Sequence, residues 1–180
     1  MRKLIHSRGY TLVELIVAVG LFALIMTLAS GAYLIMISTN QRAQAISTGI
    51  DDLSFALEIM TREIRTGTSY NCGGGGDCPN GGNSFSFTNE NNEPITYNLG
   101  GFAPNQYIQR TKNTRAKGFT GPSVNISSLT FYVTGTANTS AGNYNQPHVT
   151  IVVKGTVSAG HGTPESFSVE AAATMRGPDI

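Results

Sequence analysis

A long apolar run follows the first residues of the chain. From Leu15 to Ile37 the residues are almost wholly apolar, broken only by Thr27 and Ser30, and no charged residue occurs between Leu15 and Gln41. About 20 apolar residues in a helix span the ~30 Å hydrocarbon core of a bilayer. The pattern therefore predicts one membrane-spanning helix.

After this run the apolar positions narrow to a single stripe. They recur at spacings of three and four residues, the period of an amphipathic helix, at Ile46, Ile50, Leu53, Leu57, Met60 and Ile64. Gly49 is a weak point within the stretch because glycine lowers helix propensity, and Gly67 is the expected stop. We therefore expect one continuous helix over about residues 11–66.

From residue 84 onwards the alternation has a period of two, which is typical of strands. Expected strands cover residues 84–88, 94–99, 107–110, 129–133, 149–157 and 167–175, with a hairpin turn at 89–93. The glycine-rich residues 68–84 are expected to form a loop. One long helix followed only by antiparallel strands predicts an α+β fold, in which the helix packs on an antiparallel β-sheet.

Composition narrows the classes of function. Only 13% of the 180 residues are charged and the net charge is +1, which argues against a nucleic-acid binder that is basic as a whole. No G-x-S-x-G nucleophile elbow occurs, and His148 and His161 have no nearby nucleophile or paired acid at a recognisable spacing. We expect no enzymatic activity, no cofactor and no metal.

The charges at the N-terminus indicate an orientation. Arg2, Lys3 and Arg8 precede the apolar run with no acid among them, so the positive-inside rule puts the N-terminus in the cytoplasm and the rest of the chain outside it. Glu14 does not fit a plain membrane anchor, because it places a carboxylate at the apolar end of the span. Burying a carboxylate in hydrocarbon costs free energy, so its presence here suggests a function.

The segment Gly9-Tyr10-Thr11-Leu12-Val13-Glu14-Leu15, after a short basic leader and before an apolar helix, resembles the class III signal of type IV pilins and type II secretion pseudopilins. The resemblance implies that a prepilin peptidase cuts between Gly9 and Tyr10 and that the new amine of Tyr10 is N-methylated. It also implies that Glu14 pairs with the terminal amine of a neighbouring subunit during assembly. Tyr10 stands where this family usually has phenylalanine.

The order of elements also resembles the pilin fold, over essentially the whole chain. It implies a leader at residues 1–9, a transmembrane and filament-core helix at 10–41 and an extracytoplasmic head domain at 42–180. The helix ending Leu57-Glu58-Ile59-Met60-Thr61-Arg62-Glu63-Ile64-Arg65 looks like that of PilW/GspJ-type minor pilins, with Glu63 replacing the more usual aspartate. Such subunits belong to an initiating tip complex, so the implied partners are other pilin subunits, the prepilin peptidase and membrane lipid.

Other readings of the same sequence remain open. Ala29-Ser30-Gly31 before Ala32 could imitate a conventional secretory cleavage site, although the apolar stretch is long for one. The chain could also be a single-pass anchored domain that never polymerises. A third alternative is an adhesive or DNA-binding module carried on a pilin stalk.

Cys72 and Cys78 enclose four glycines and one aspartate. In an exported segment two such cysteines favour a disulfide. Metal binding is the alternative, but the remaining ligands are missing. The glycine run lacks the Lys-Ser/Thr ending of a phosphate-binding loop.

Four cations, Arg110, Lys112, Arg115 and Lys117, fall within eight residues. The polar residues between them predict an exposed loop. The charges are either simply solvated or form a contact with DNA or an acidic partner, and such a contact would weaken steeply with salt.

Overall fold

The computed structural model describes residues 9–137, 145–159 and 163–176. In chain order the elements are α1 Leu12–Thr66, β1 Thr68–Cys72, β2 Cys78–Gly82, β3 Ser84–Thr88, β4 Pro94–Phe102, β5 Asn105–Lys112, β6 Arg115–Gly118, β7 Val124–Thr134, β8 His148–Val157 and β9 Glu165–Thr174. The single long helix is confirmed, as is the α+β class.

The chain divides into two compact units, Met1–Gln41 and Arg42–Ile180. In the first unit every described residue is exposed to solvent. By length and composition α1 is suited to crossing a membrane. The apolar surface of residues 12–37 therefore has no cover within its own unit.

In the second unit the helix turns one apolar face towards the strands. Leu53, Leu57, Met60 and Ile64 are buried, as the stripe predicted. The expectation for Ile50 is wrong, since this side chain is 49% exposed. Gly49 is buried, and a Cβ at this position would overlap the side chain of Val157 on β8. The predicted weak point is thus a position where the helix lies close to the sheet.

The strands form two sheets where one was predicted. The first sheet has the order β1-β3-β4-β5-β6 and the second has the order β2-β7-β8-β9. Every described strand pair is antiparallel, as expected. The chain passes from the first sheet to the second between β1 and β2 and returns at β3. Periodicity shows which residues alternate, but not which strands become neighbours.

Two of these strands lie in residues 68–84, where a loop was expected. β1 pairs with β3, and β2 pairs with β7, each with a shift in register. These two strands were not predicted because they contain glycines, asparagines and Pro79, which are depleted in strands. Long-range pairing with well-formed strands overrides that local preference.

One core lies between the helix and both sheets. Phe85, Tyr97 and Phe131 are fully buried, and the rings of Phe85 and Phe131 stack with centroids 5.5 Å apart. Phe85 lies on β3 of the first sheet and Phe131 on β7 of the second. The two sheets therefore share a core with the helix face that covers them.

The four sheet edges differ. β1 and β2 have five residues each and irregular registers. β6 has four residues and carries Arg115 and Lys117. β9 has ten residues, and its ladder with β8 runs without a register shift.

Backbone carbonyls at the C-terminal end of α1 accept hydrogen bonds from residues that follow the helix. The N–H of Gly67 donates to the carbonyl of Ile64 at 3.0 Å, and the Tyr70 hydroxyl donates to the same carbonyl. The N–H of Arg176 donates to the carbonyl of Arg65 at 2.8 Å. Gly67 is thus the predicted stop, and the segment after β9 closes the helix end.

Candidate functional site

The N-terminal candidate residues lie where α1 begins. Gly9 and Tyr10 precede the helix, and Tyr10 is 84% exposed. A Cβ at Gly9 would meet nothing within 4 Å. Among the described residues, Gly9 and Tyr10 therefore lie in non-helical, exposed backbone. The leader residues 1–8, including Arg2, Lys3 and Arg8, lie outside the described residues.

Thr11 caps the helix. Its Oγ1 accepts a hydrogen bond from the N–H of Glu14 at 3.3 Å, and its carbonyl accepts one from the N–H of Leu15 at 3.2 Å. A threonine followed three residues later by a glutamate is the sequence signature of a capping box. Sequence reasoning missed this local role, although the Thr11-Leu-Val-Glu14 spacing contains it.

Glu14 can therefore act in two ways. In the first turn of α1 its carboxylate favours the positive end of the helix dipole. Its side chain is also exposed, so a cation from another molecule can reach it. Beyond Glu14 the exposed surface of the first unit is apolar.

The two cysteines form a disulfide that joins the two sheets. Cys72 ends β1 of the first sheet and Cys78 begins β2 of the second. Cys72 is 4% exposed and belongs to the core. The disulfide therefore has a structural position, as the sequence indicated.

Asp77, just before Cys78, anchors the same loop to the end of β7. Its carboxylate accepts hydrogen bonds from the Thr136 hydroxyl at 2.6 Å, the Thr136 N–H at 2.8 Å and the Gly135 N–H at 3.1 Å. The hydroxyl and then the backbone N–H of Thr136 lower the pKa of Asp77. Within the residues described, no group of three or more His, Cys, Asp and Glu is placed to hold a metal ion.

The four predicted cations lie on a hairpin and not in an open loop. Arg110 and Lys112 belong to β5, and Lys117 and Arg115 lie directly opposite them on β6. Opposed residues in an antiparallel ladder point to the same face of the sheet. The hairpin therefore gathers all four cations on one face.

Two of these cations are engaged within the protein. Arg110 donates from Nη2 to Glu63 Oε1 at 2.7 Å and from Nε to Glu63 Oε2 at 3.0 Å. Lys112 Nζ lies 2.6 Å from Glu93 Oε2. Arg115 and Lys117 are exposed, and no acid pairs with either of them in the described part of the chain. The basic surface is therefore smaller than the sequence suggested.

Glu63 is the centre of this polar site, and sequence reasoning missed its role. It also accepts a hydrogen bond from the hydroxyl of Tyr97 at 2.6 Å. Burial, and next the hydrogen bond to the Glu63 carboxylate, raise the pKa of Tyr97 far above its usual range. The sequence did contain a signal for this site. Glu63 lies beside the apolar stripe of the helix, and Tyr97 and Arg110 lie in segments that were predicted to be strands.

The comparisons with known proteins concern the N-terminal segment. Residues 5–30 match the family described as "Prokaryotic N-terminal methylation motif". This stretch contains Gly9, Tyr10 and Glu14 together with the first part of the apolar helix. No curated protein and no solved structure matches the chain. The chain thus carries the N-terminal signal of a type IV pilin-like prepilin, joined to a head of one helix face on two antiparallel sheets.

Proposed function

We propose that this protein is a structural subunit of a type IV pilus or a type II secretion pseudopilus, and that it works by assembly and not by catalysis. The observation that carries the proposal is the match of residues 5–30 to the methylation motif, followed by an exposed apolar helix. On this proposal the peptidase cuts after Gly9, Tyr10 becomes the N-methylated terminus, and residues 10–41 anchor the protein before assembly and form the filament core afterwards.

The proposed orientation is a cytoplasmic N-terminus with the head, residues 42–180, outside the cytoplasmic membrane. The basic leader supports it through the positive-inside rule. The disulfide supports it too, because such bonds persist in oxidising compartments. More specifically, we propose that the protein is a minor subunit of the PilW/GspJ type and that it is located in a tip complex.

Glu14 is the proposed assembly contact. After cleavage the amine of Tyr10 would carry a positive charge, and Glu14 follows Tyr10 four positions later in the same chain. In a bundle of packed apolar helices, the amine of one subunit and Glu14 of its neighbour would neutralise each other. Removing one partner of such a buried pair costs about 3–5 kcal/mol.

The first test is the N-terminus and intact mass of the protein purified from membranes. A start at Tyr10, with or without one methyl group, supports the proposal, and Gly9→Trp should block the cut. A start at Ala32, or an uncut Met1, would overturn it in favour of a secreted or an anchored domain.

The second test is incorporation into filaments. Glu14→Ala should be processed and folded but absent from sheared filaments, whereas Asp51→Ala, on the exposed face of the helix in the second unit, should be incorporated normally. Equal incorporation of both variants would remove Glu14 from the mechanism.

DNA binding is a second candidate function, and one observation favours it. Arg115 and Lys117 are exposed on the face that also carries Arg110 and Lys112. Arg115→Gln/Lys117→Gln should then lower retention of duplex DNA without changing piliation. Unchanged retention would end this candidate.

A further inference from the structure

A second basic site lies at the end of α1, away from the hairpin residues. It is an open cavity of about 400 Å³ lined by Glu58, Thr61, Arg62, Arg65, Thr66 and Arg176. Half of these residues are arginines, and neither the methylation motif nor the hairpin includes any of them. The cavity therefore has a chemistry that the proposed function has not used.

The arginines come from two separate elements held together by backbone. Arg62 and Arg65 are three residues apart in the last turns of α1, and residues at this spacing lie on the same face of a helix. Arg176 follows β9, and its N–H donates to the carbonyl of Arg65 at 2.8 Å. That bond fixes the backbone of the third arginine beside the other two.

The three guanidinium groups lack acidic partners within residues 9–137, 145–159 and 163–176. By contrast, Arg42, Arg110 and Lys112 each form an ion pair in the same domain. Glu58 is the one acid in the lining, and it forms no ion pair with them. The cavity thus has an excess of positive charge.

The helix dipole accounts for only part of this cluster. A cation in the last turn of a helix is favourable on its own, which explains Arg65. Arg176 belongs to no helix, yet it adds a third positive charge to the same cavity. Like charges repel at short range, so an anion that enters would relieve the repulsion.

The hydroxyl groups of the cavity are already committed as donors. Thr61 Oγ1 donates to the carbonyl of Glu58 at 2.9 Å, and Thr66 Oγ1 donates to the carbonyl of Glu63 at 3.3 Å. The guanidinium N–H groups are therefore the side-chain donors left for a ligand. Their planar forks match the two oxygens of a carboxylate.

We propose that this cavity binds a carboxylate side chain of a partner polypeptide. This inference rests on the proposed function only in taking that polypeptide to be a neighbouring subunit. The lining has no aromatic residue on which a base of single-stranded nucleic acid could stack.

The test measures binding of fluorescein-labelled hexaglutamate to the full-length protein in detergent, by fluorescence anisotropy at low salt. The variant Arg62→Gln/Arg65→Gln/Arg176→Gln removes the cluster. Arg176→Gln is measured beside it, and Lys154→Gln is the matched control for Arg176→Gln, because it removes the same number of charges from an exposed residue elsewhere. We expect at least about a tenfold loss of affinity in the first variant and less than about twofold in the control.

Several results would overturn the proposal. Equal losses of affinity in Arg176→Gln and Lys154→Gln would mean that the peptide responds to net charge alone. Inorganic phosphate or a DNA duplex that binds more tightly than hexaglutamate, through the same arginines, would assign a different ligand class. If circular dichroism shows that the triple variant is unfolded, Arg176→Gln alone is used, and unchanged affinity in that variant contradicts the proposal.

Failure here is distinguishable from failure of the proposed function. A protein that starts at Tyr10 and enters filaments, but does not bind hexaglutamate, remains a pilin-like subunit without this contact. A protein that binds through the cavity but is never cut retains the site and loses the assembly role.

Discussion

Arg110 on β5 donates hydrogen bonds to both carboxylate oxygens of Glu63 on α1, at 3.0 and 2.7 Å, across 47 residues of sequence. The two side chains are 20% and 25% exposed. Tyr97, fully buried on β4, donates to the same carboxylate. Glu63 thus connects the helix to two neighbouring strands of the first sheet. The sequence suggested that Arg110 is either solvated or contacts DNA, but in the structure it is paired with Glu63.

Arg110→Ala should destabilise the protein by about 2 kcal/mol. The change leaves Glu63 partly buried without its cation, and loss of one partner of a fully buried pair costs about 3–5 kcal/mol, which partial exposure reduces. Urea denaturation followed by circular dichroism measures the effect. Lys117→Ala, at the position opposite Arg110 on β6, is the control and should change stability by less than about 0.5 kcal/mol. Equal losses of stability in the two variants would show that the contact between Arg110 and Glu63 does not stabilise the fold.

Stability should decline at alkaline pH, partly through Tyr97. Burial and the Glu63 carboxylate raise its folded-state pKa above the unfolded value of about 10. The folded protein then holds the proton more tightly, so this contribution is complete below pH ~10 and is lost as the pH rises towards the folded pKa. Tyr97→Phe should show a shallower alkaline decline in the unfolding free energy, whereas Tyr132→Phe, at a 37% exposed position, should follow the unmodified protein. Parallel curves for all three proteins would contradict this.

Asp77 should contribute to stability above acidic pH. The Thr136 hydrogen bonds lower its folded-state pKa, so its contribution is present above the unfolded pKa of about 4 and is lost as the pH falls through the lower folded value. The difference in unfolding free energy between the unmodified protein and Asp77→Asn should therefore shrink below pH ~4. Glu170→Gln, at an exposed position on β9, serves as the control. A difference that stays constant down to the acid transition would show that the charge of Asp77 is irrelevant.

Gly49→Ala should destabilise the second unit even though alanine is the better helix former by about 1 kcal/mol. The new Cβ would overlap the side chain of Val157, and a β-branched side chain has little freedom to move aside. We expect a net loss of about 1–2 kcal/mol in thermal or urea denaturation.

Val157→Ala in the same chain should recover part of that loss, since it removes the atoms that the Cβ meets. Gly75→Ala is the control for Gly49→Ala, because a Cβ at Gly75 meets nothing within 4 Å. Additive effects of the two substitutions, with no recovery, would mean that they do not interact.

A fragment comprising Arg42–Ile180 should fold without the apolar segment. It is one compact unit with the core, both sheets and the disulfide. Circular dichroism and a cooperative urea transition would establish folding. A fragment that stays unfolded in non-reducing buffer would show that residues before Arg42 are needed for the core.

Patterns within short segments predicted much of this fold. The helix was predicted at about residues 11–66 and is observed at Leu12–Thr66, because its apolar run and stripe extend over many turns. Strand β3 was predicted at residues 84–88, where it is observed, since its serines and phenylalanines alternate without interruption. The disulfide was predicted from two cysteines in a glycine-rich stretch that was expected to be exported.

What the sequence did not reveal depends on partners far along the chain. β1 and β2 are held by β3 and β7, and their own residues are typical of turns. The roles of Arg110 and Lys112 depend on Glu63 and Glu93, which a charge count over eight residues cannot associate with them. The arginine cavity combines Arg62 and Arg65 with Arg176, which follows them by more than a hundred residues.

The edge strand β9 differs from the other sheet edges in how readily a further strand could pair with it. Short length, register shifts, proline or cations restrict the other three edges, and each of these features discourages the addition of a strand. The outer side of β9 is a regular template of ten residues, with none of these features. Its inward-facing Phe167, Val169 and Ala171 are only half-buried. Among the four described sheet edges, β9 on the second sheet is therefore the best acceptor for a further strand.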